Sequence, residues 1–410
     1  MTTAVHQRLD CGIDFAAEPM PDRPTVSFNI RFRSGAAYEP ADRLGVARLV
    51  QHTVSKGTAE HDGRGLSDAF DAMGIQRASG TGRETITFRC TCLPEFVDGA
   101  IDLYAEMLRT PTFPDDACRV ARELSLQELT ALEDNPMDLA RKLINAQAYG
   151  CRLGRDPLGT AETLAHIDRA QIESYWADAL AANRMQVAVA GPVDAGEFGD
   201  KFESAFARFG RDGDDAREPI PLGFAPASKH HPKDQEQDYI MICWPGVPMD
   251  DPAEPVERVM VRVLSGGMSG RLFTEVREKQ GLVYWVGAWV ARPRGWGMIH
   301  IGASTTPERC DKTYATLLRE IDRLAEDLTE DELRRAVAGI ASRSEREADL
   351  TQARAEDLGD DLMYFGRPIP VAEKLAKVRA VTVEDIGRYL ASHPRDRLSV
   401  LALGPKPLGG

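Results

Sequence analysis

The sequence predicts an α+β fold built twice, as two similar duplicated domains, each a largely antiparallel sheet with helices packed on it. Three observations carry that prediction. At 410 residues the chain is too long for one ordinary domain and suits two of about 200. Related stretches recur at near-constant spacing. Ile86-Thr87-Phe88 before Pro94-Glu95 corresponds to Ile299-His300-Ile301 before Pro307-Glu308, and Gly191-Pro192 to Gly404-Pro405, all 213 positions apart. Ser34-Gly35 corresponds to Pro245-Gly246 at a spacing of 211. Finally, neither half alternates strand and helix as a parallel sheet requires, so antiparallel pairing is expected.

Taken in order, residues 25–33 (TVSFNIRFR) alternate as a strand and stop at Ser34-Gly35. Residues 45–58 (GVARLVQHTVSKGT) read as a helix that puts Arg48, Gln51 and His52 on one face. A short helix is expected at 65–73 and a strand at 85–92, separated by the glycine-weakened run ASGTGRE at 78–84. Val97, Ala100, Ile101, Tyr104, Met107 and Leu108 form the apolar stripe of an amphipathic helix. Pro114 then opens one long helical stretch that carries Glu128 and runs through Asp138 to Tyr149. A helix at 170–180, a strand at 185–190 and a helix at 196–209 complete this half.

Residues 210–234 are rich in Gly, Asp, Pro and Ala and read as a linker, with His230 and His231 as solvated linker residues. The expected division is therefore 1–209, 210–234 and 235–410. In the second half a strand at 239–244 precedes a stretch at 256–265 that lines up with the Arg48 helix. The Gly266–Gly270 loop lacks the closing Gly-Lys-Ser/Thr of a phosphate loop and reads as a tight or flexible connection. A helix to Lys279 is expected to end at Gly281, where glycine accepts the left-handed conformation, before a strand at 283–290. On spacing alone Arg277 is a salt-bridge arginine with Glu275 or Glu278 as partner, and Tyr284 a half-buried strand tyrosine.

Composition narrows the partners. An apolar fraction of 43% supports two cores, and 50 basic against 64 acidic residues leave a net charge of −14. That charge argues against nucleic acid and anionic membranes. No apolar run reaches the length of a membrane span, and the first residues lack the basic start and apolar core of a secretory signal. The seven cysteines show no metal-finger spacing, and Cys90 and Cys92 share one strand face. An odd, scattered set fits reduced thiols, hence a cytoplasmic location.

The run at 45–58 resembles the inverted zinc motif H-x-x-E-H of the pitrilysin/insulinase metallopeptidases, in the small-subunit form that includes mitochondrial processing peptidase. Gly45, Ala47, His52, Lys56, Gly57 and Thr58 match; Arg48 stands at the first His and Gln51 at the Glu. The resemblance implies a third ligand 76 positions after His52, which is Glu128, and a supporting Glu where this chain has Ala121. It extends through Glu133-Asp134-Asn135-Pro136 and the run DPLGTAET at 156–163. It also implies an Arg and a Tyr seven positions apart that contact substrate and oxyanion, matched by Arg277 and Tyr284. In the family the edge strand near residues 78–84 receives substrate by strand pairing, a role the glycines here weaken.

The substitutions have chemical consequences. A guanidinium has no lone pair for a metal and carries a permanent positive charge. Glutamine orients a water but cannot take its proton. Only His52 and Glu128 remain as ligands where a catalytic zinc needs three, so no zinc is expected in this chain and an Arg48–Glu128 pair is expected instead. The resemblance then implies a pseudopeptidase by itself: the non-zinc-binding subunit of a heterodimeric metallopeptidase acting on peptides, its homologous partner holding the zinc. The alternative is an inactive scaffold or peptide-binding core subunit of a larger complex.

Overall fold

The computed structural model describes residues 4–206 and 218–409. The chain divides into two compact units, neither of them contiguous in sequence. The first comprises Met1–Ala131, Arg155–Pro219 and Glu347–Pro370; the second comprises Leu132–Gly154, Ile220–Arg346 and Val371–Gly410.

The first unit is a six-stranded sheet formed by β1 (Val5–Arg8), β2 (Asp14–Pro19), β3 (Val26–Phe32), β4 (Gln76–Thr81), β5 (Ile86–Cys92) and β6 (Met185–Gly191). Its spatial order is β1-β2-β6-β3-β5-β4, antiparallel except where β2 meets β6. All seven residues of β3 are buried, although the strand alternates apolar and polar side chains. Val26, Phe28, Ile30 and Phe32 enter the main core, where Phe32 lies edge-on to Trp176 at 5.0 Å. Cys90 and Cys92 join that same face.

The polar face of β3 is covered by the helix Thr351–Phe365, which lies on β2, β3 and β6. Ser27 pairs with Thr351 (2.9 Å), Asn29 donates to the Ala355 carbonyl (2.7 Å), and Arg31 donates to Asp360 and Glu356 (both 2.6 Å). Arg354 of that helix reaches Glu18 on β2 at 2.5 Å. Two guanidiniums buried to within a few per cent are thus matched by carboxylates, as burial of charge requires.

The second unit has five strands: β7 (Ser228–Pro232), β8 (Asp238–Gly246), β9 (Val283–Ala291), β10 (Gly297–Thr305) and β11 (Ser399–Gly404), in the order β7-β11-β8-β10-β9. Strand for strand this repeats β2-β6-β3-β5-β4, including the single parallel pair at the start. The short 3-10 turn at Pro94 and the helix Val97–Arg109 reappear at Pro307 and Cys310–Asp322, each displaced by 213 positions. The duplication read from spacing is present in the topology.

Several expectations need correction. The run 210–234 is not simply a linker: residues 207–217 lie outside the described residues, but Ser228–Pro232 forms β7, parallel to β11. His230 belongs to that strand, and its Nε2 lies 2.8 Å from the Gly404 carbonyl. The long helical stretch after Pro114 is two helices, 115–133 and 136–148. Pro136 has no N–H to give and holds Asn135 outside the helical region (φ −114°, ψ 88°), while the Asn135 side chain accepts from the Asp138 amide to start the second helix. The helix expected at 196–209 is described as Ala195–Phe206. The contiguous division 1–209 and 235–410 does not match the compact units, because the helix Pro136–Ala148 lies on β8 and β11 while Thr351–Phe365 lies on the first sheet. Among the described residues no helix is long and apolar enough to cross a membrane.

Candidate functional site

The helix α1 (Val46–Thr53) carries the motif face, and its start is held from three sides. Gly45 adopts φ +96°, and a Cβ there would lie 2.9 Å from a Leu164 methyl, so this position needs glycine. Glu39, 2% exposed, accepts from the amides of Gly45 (2.8 Å) and Ala47 (2.9 Å), which would otherwise be orphaned at the helix start. Thr163 donates to the Leu44 carbonyl at 2.7 Å. The run DPLGTAET therefore acts here as the wall behind α1. Burial pushes the Glu39 carboxyl up to about 7, against the two amides that favour its ionised form.

Val46, Ala47, Leu49, Val50 and Thr53 turn inward, which leaves Arg48, Gln51 and His52 on the opposite face. The helix α2 (Gly63–Ala72), the helix α3 (Val97–Arg109) and the long helix α4 (Asp115–Glu133) follow, the last presenting Glu128. Arg48 Nη2 donates to Glu128 Oε2 at 2.5 Å. Gln51 Nε2 donates to the Ser79 hydroxyl of β4 at 2.7 Å, tying the amide to the edge strand. The pKa of His52 is lowered, first by burial and then by the positive charge of Arg48. Its Nε2 is buried with no hydrogen-bond partner among the described residues. Ala121, two turns before Glu128, is packed into the core.

These side chains do not fit a catalytic zinc. Its first ligand position carries a cation, that cation already holds Glu128, and the base position is an amide. Among the described residues no group of three or more His, Cys, Asp or Glu is arranged to hold a metal ion.

The second unit brings Arg277 and Tyr284 together. The chain runs through π-helical turns at Leu272–Lys279, passes Gly281 at φ +57°, and enters edge strand β9 at Val283. Arg277 Cζ lies 5.0 Å from the Phe273 ring and 5.7 Å from the Tyr284 ring, so the guanidinium sits among two π faces. The ordinary salt bridge expected from spacing is not formed: Glu275 takes Lys279 at 2.8 Å, and Arg277 has no ion pair among the described residues. Nor is Tyr284 half-buried, being 75% exposed. The cause is a β-bulge: Ser304 pairs with Trp285 and Thr305 with Val283, leaving Tyr284 as the extra residue. A bulge of this kind re-aims one side chain without ending the strand.

Sequence reasoning missed Phe273, Glu39 and the bulge. Phe273 stands four positions before Arg277, a spacing that could have identified it. Glu39 and the bulge leave no such mark.

Comparison with known proteins agrees across the chain. Residues 15–161 match the family described as Insulinase (Peptidase family M16), and residues 166–340 match Peptidase M16 inactive domain. A Rickettsia felis protein named "Uncharacterized zinc protease" is 26% identical over 382 residues, 92% of each chain. A Streptomyces coelicolor protein of the same description is 27% identical over 410 residues, 97% of this chain and 88% of its own. Among solved structures, a peptidase M16 inactive domain from Pseudomonas fluorescens superposes with a TM-score of 0.90 at 21% identity, covering 100% of this chain and 99% of its own. A chain of Complex III2 from Candida albicans gives 0.84 at 19% identity, covering 98% and 96%. Those structural likenesses show the fold.

Proposed function

The chain belongs to peptidase family M16, the insulinase family, and from that premise we propose that it is the zinc-less subunit of a two-chain peptidase, supplying Arg277 and Tyr284 to peptide hydrolysis while a homologous partner holds the metal. One contrast carries this reading. At the motif end a cation occupies the first ligand position and binds the remaining carboxylate, whereas Arg277 and Tyr284 stand solvent-accessible, with Arg277 free of any ion pair among the described residues. A chain that had lost all peptidase function would have no use for an arginine so placed and a tyrosine re-aimed by a bulge.

The chemistry follows from the two groups. Arg277 offers a fixed positive charge and several N–H donors to the carbonyls of a bound peptide. Tyr284 offers a phenolic O–H to negative charge that develops on the carbonyl oxygen as water attacks. Neither group can generate the nucleophile, so activity requires the partner. The free cysteines among the described residues support a reducing, cytoplasmic setting.

The test is to mix the chain with a zinc-bearing homologue and follow cleavage of a quenched peptide library. Cleavage should appear only in the mixture, and Tyr284→Phe should lower kcat about a hundredfold, the usual cost of one oxyanion donor, with little change in KM. If Arg277→Ala and Tyr284→Phe complexes cut as fast as wild type, the shared site is refuted. A second reading, a catalytically silent scaffold or peptide-binding core subunit, is favoured by the fold shared with a chain of Complex III2. It predicts stable co-purification with a large assembly and no cleavage in any mixture.

A further inference from the structure

A small pocket in the second unit is lined by Arg262, Gly266, Ser269, Gly270, Glu332 and Arg335, among others. We propose that it binds a carboxylate: an acidic side chain or the free C-terminus of a peptide.

Two arginines of this pocket form no ion pair among the described residues. Neither Arg262 nor Arg335 has an ion pair or side-chain hydrogen bond among the described residues, in a chain where most arginines are paired. Arg262 is half-buried at the last turn of the helix Glu254–Leu264 and is pressed between two glycines. A Cβ on Gly339 would lie 3.0 Å from its Nη2, and one on Gly266 would lie 3.5 Å from its Nε. Two positions without side chains thus make room for a guanidinium whose donors remain open. Arg335 lines the same pocket from the helix Glu330–Glu347. A cation fixed in shape yet lacking an acceptor is what an anion site requires before its ligand arrives.

The charge of the lining selects the ligand. Glu332 is the one acidic member, and it is held by Arg271 through two bonds of 2.6 and 2.8 Å. Two arginines against one glutamate leave a net charge of +1, which suits a monoanionic carboxylate better than a dianionic phosphate. The Ser269 hydroxyl adds a neutral donor. The chain as a whole carries a net charge of −14 that repels acidic peptides, so this local cation would stand out to them.

The test uses the full chain alone and three acetylated pentapeptides: one with a central Glu and an amidated end, its Gln counterpart, and the Gln peptide with a free C-terminus. Titration calorimetry should show one carboxylate peptide binding about tenfold more tightly than the neutral one, the scale of a charge-assisted hydrogen bond. Which peptide gains identifies the side chain or the terminus as the source. Arg262→Gln and the exposed Arg335→Gln should each erase the preference, with thermal melts confirming that both fold. Arg334→Gln, whose arginine is paired with Asp331 at 2.8 Å, should keep it. Equal affinity for all three peptides, or a preference that survives in folded Arg262→Gln and Arg335→Gln, overturns the proposal. Tighter binding of inorganic phosphate than of the carboxylate peptides overturns it too, in favour of a phosphate site.

Discussion

Arg48 has no lone pair to offer a metal, and it charges its surroundings. Because Glu128 is 41% exposed, the ion pair adds at most about 1 kcal/mol to stability. Its consequence is therefore chemical. With burial, Arg48 disfavours the protonated form of His52, leaving a neutral imidazole beside a cation. Replacing Arg48 with Gln should raise the His52 pKa part of the way back towards its ordinary 6.5, burial accounting for the remainder. A pH titration of the imidazole resonances by NMR measures this, and an unmoved His52 would show that Arg48 does not govern the site. The Arg48–Glu128 pairing was legible because the resemblance to the zinc motif pointed to Glu128 and a guanidinium pairs readily with a carboxylate. The exposure of Tyr284 was not, since it depends on one extra residue in the pairing of two strands.

At the scale of elements, α1 depends on a buried carboxyl that the motif does not include. Glu39 is raised to about 7 in the folded chain from an ordinary 4.5, so the folded state holds a proton that the unfolded state releases. Stability from this group is fully present below pH 4.5 and is lost as the pH rises through about 7. Wild type should therefore lose more thermal stability than Glu39→Gln between about pH 5 and about pH 8. Parallel melting curves for the two proteins would refute the assignment. Elements with strong periodicity were legible: every residue of the Val97–Leu108 stripe is buried in α3. Breaks were less so, because the arrest at Asn135 requires Pro136 and the Asn135 cap to act against an otherwise continuous helical pattern.

For the whole molecule, the main feature is where the back-face helices come from. The helix that covers Ser27, Asn29 and Arg31 lies more than 300 positions further along the chain. A fragment of residues 1–209 would hold the whole first sheet yet expose that polar face, with Arg31 stripped of Glu356 and Asp360. Such a fragment should give no cooperative melting transition by circular dichroism, and a sharp transition would show that the late helix is dispensable. Long-range contacts of this kind must be closed before either sheet is covered on both faces, so the two halves are expected to fold interdependently.

The sequence by itself determined the duplicated α+β architecture, and its resemblance to the inverted zinc motif is what singled out Arg48, Gln51, Arg277 and Tyr284. The duplication follows from repeat spacing, and the consequence of Arg48 and Gln51 for metal binding follows from side-chain chemistry, both written locally along the chain. Only the tertiary structure decided which sheet each central helix covers, that residues 228–232 form a strand, that Glu39 anchors α1, and that Tyr284 points outward. Each of those depends on which distant backbone or carboxylate a group meets, and a residue's neighbours in sequence do not set that.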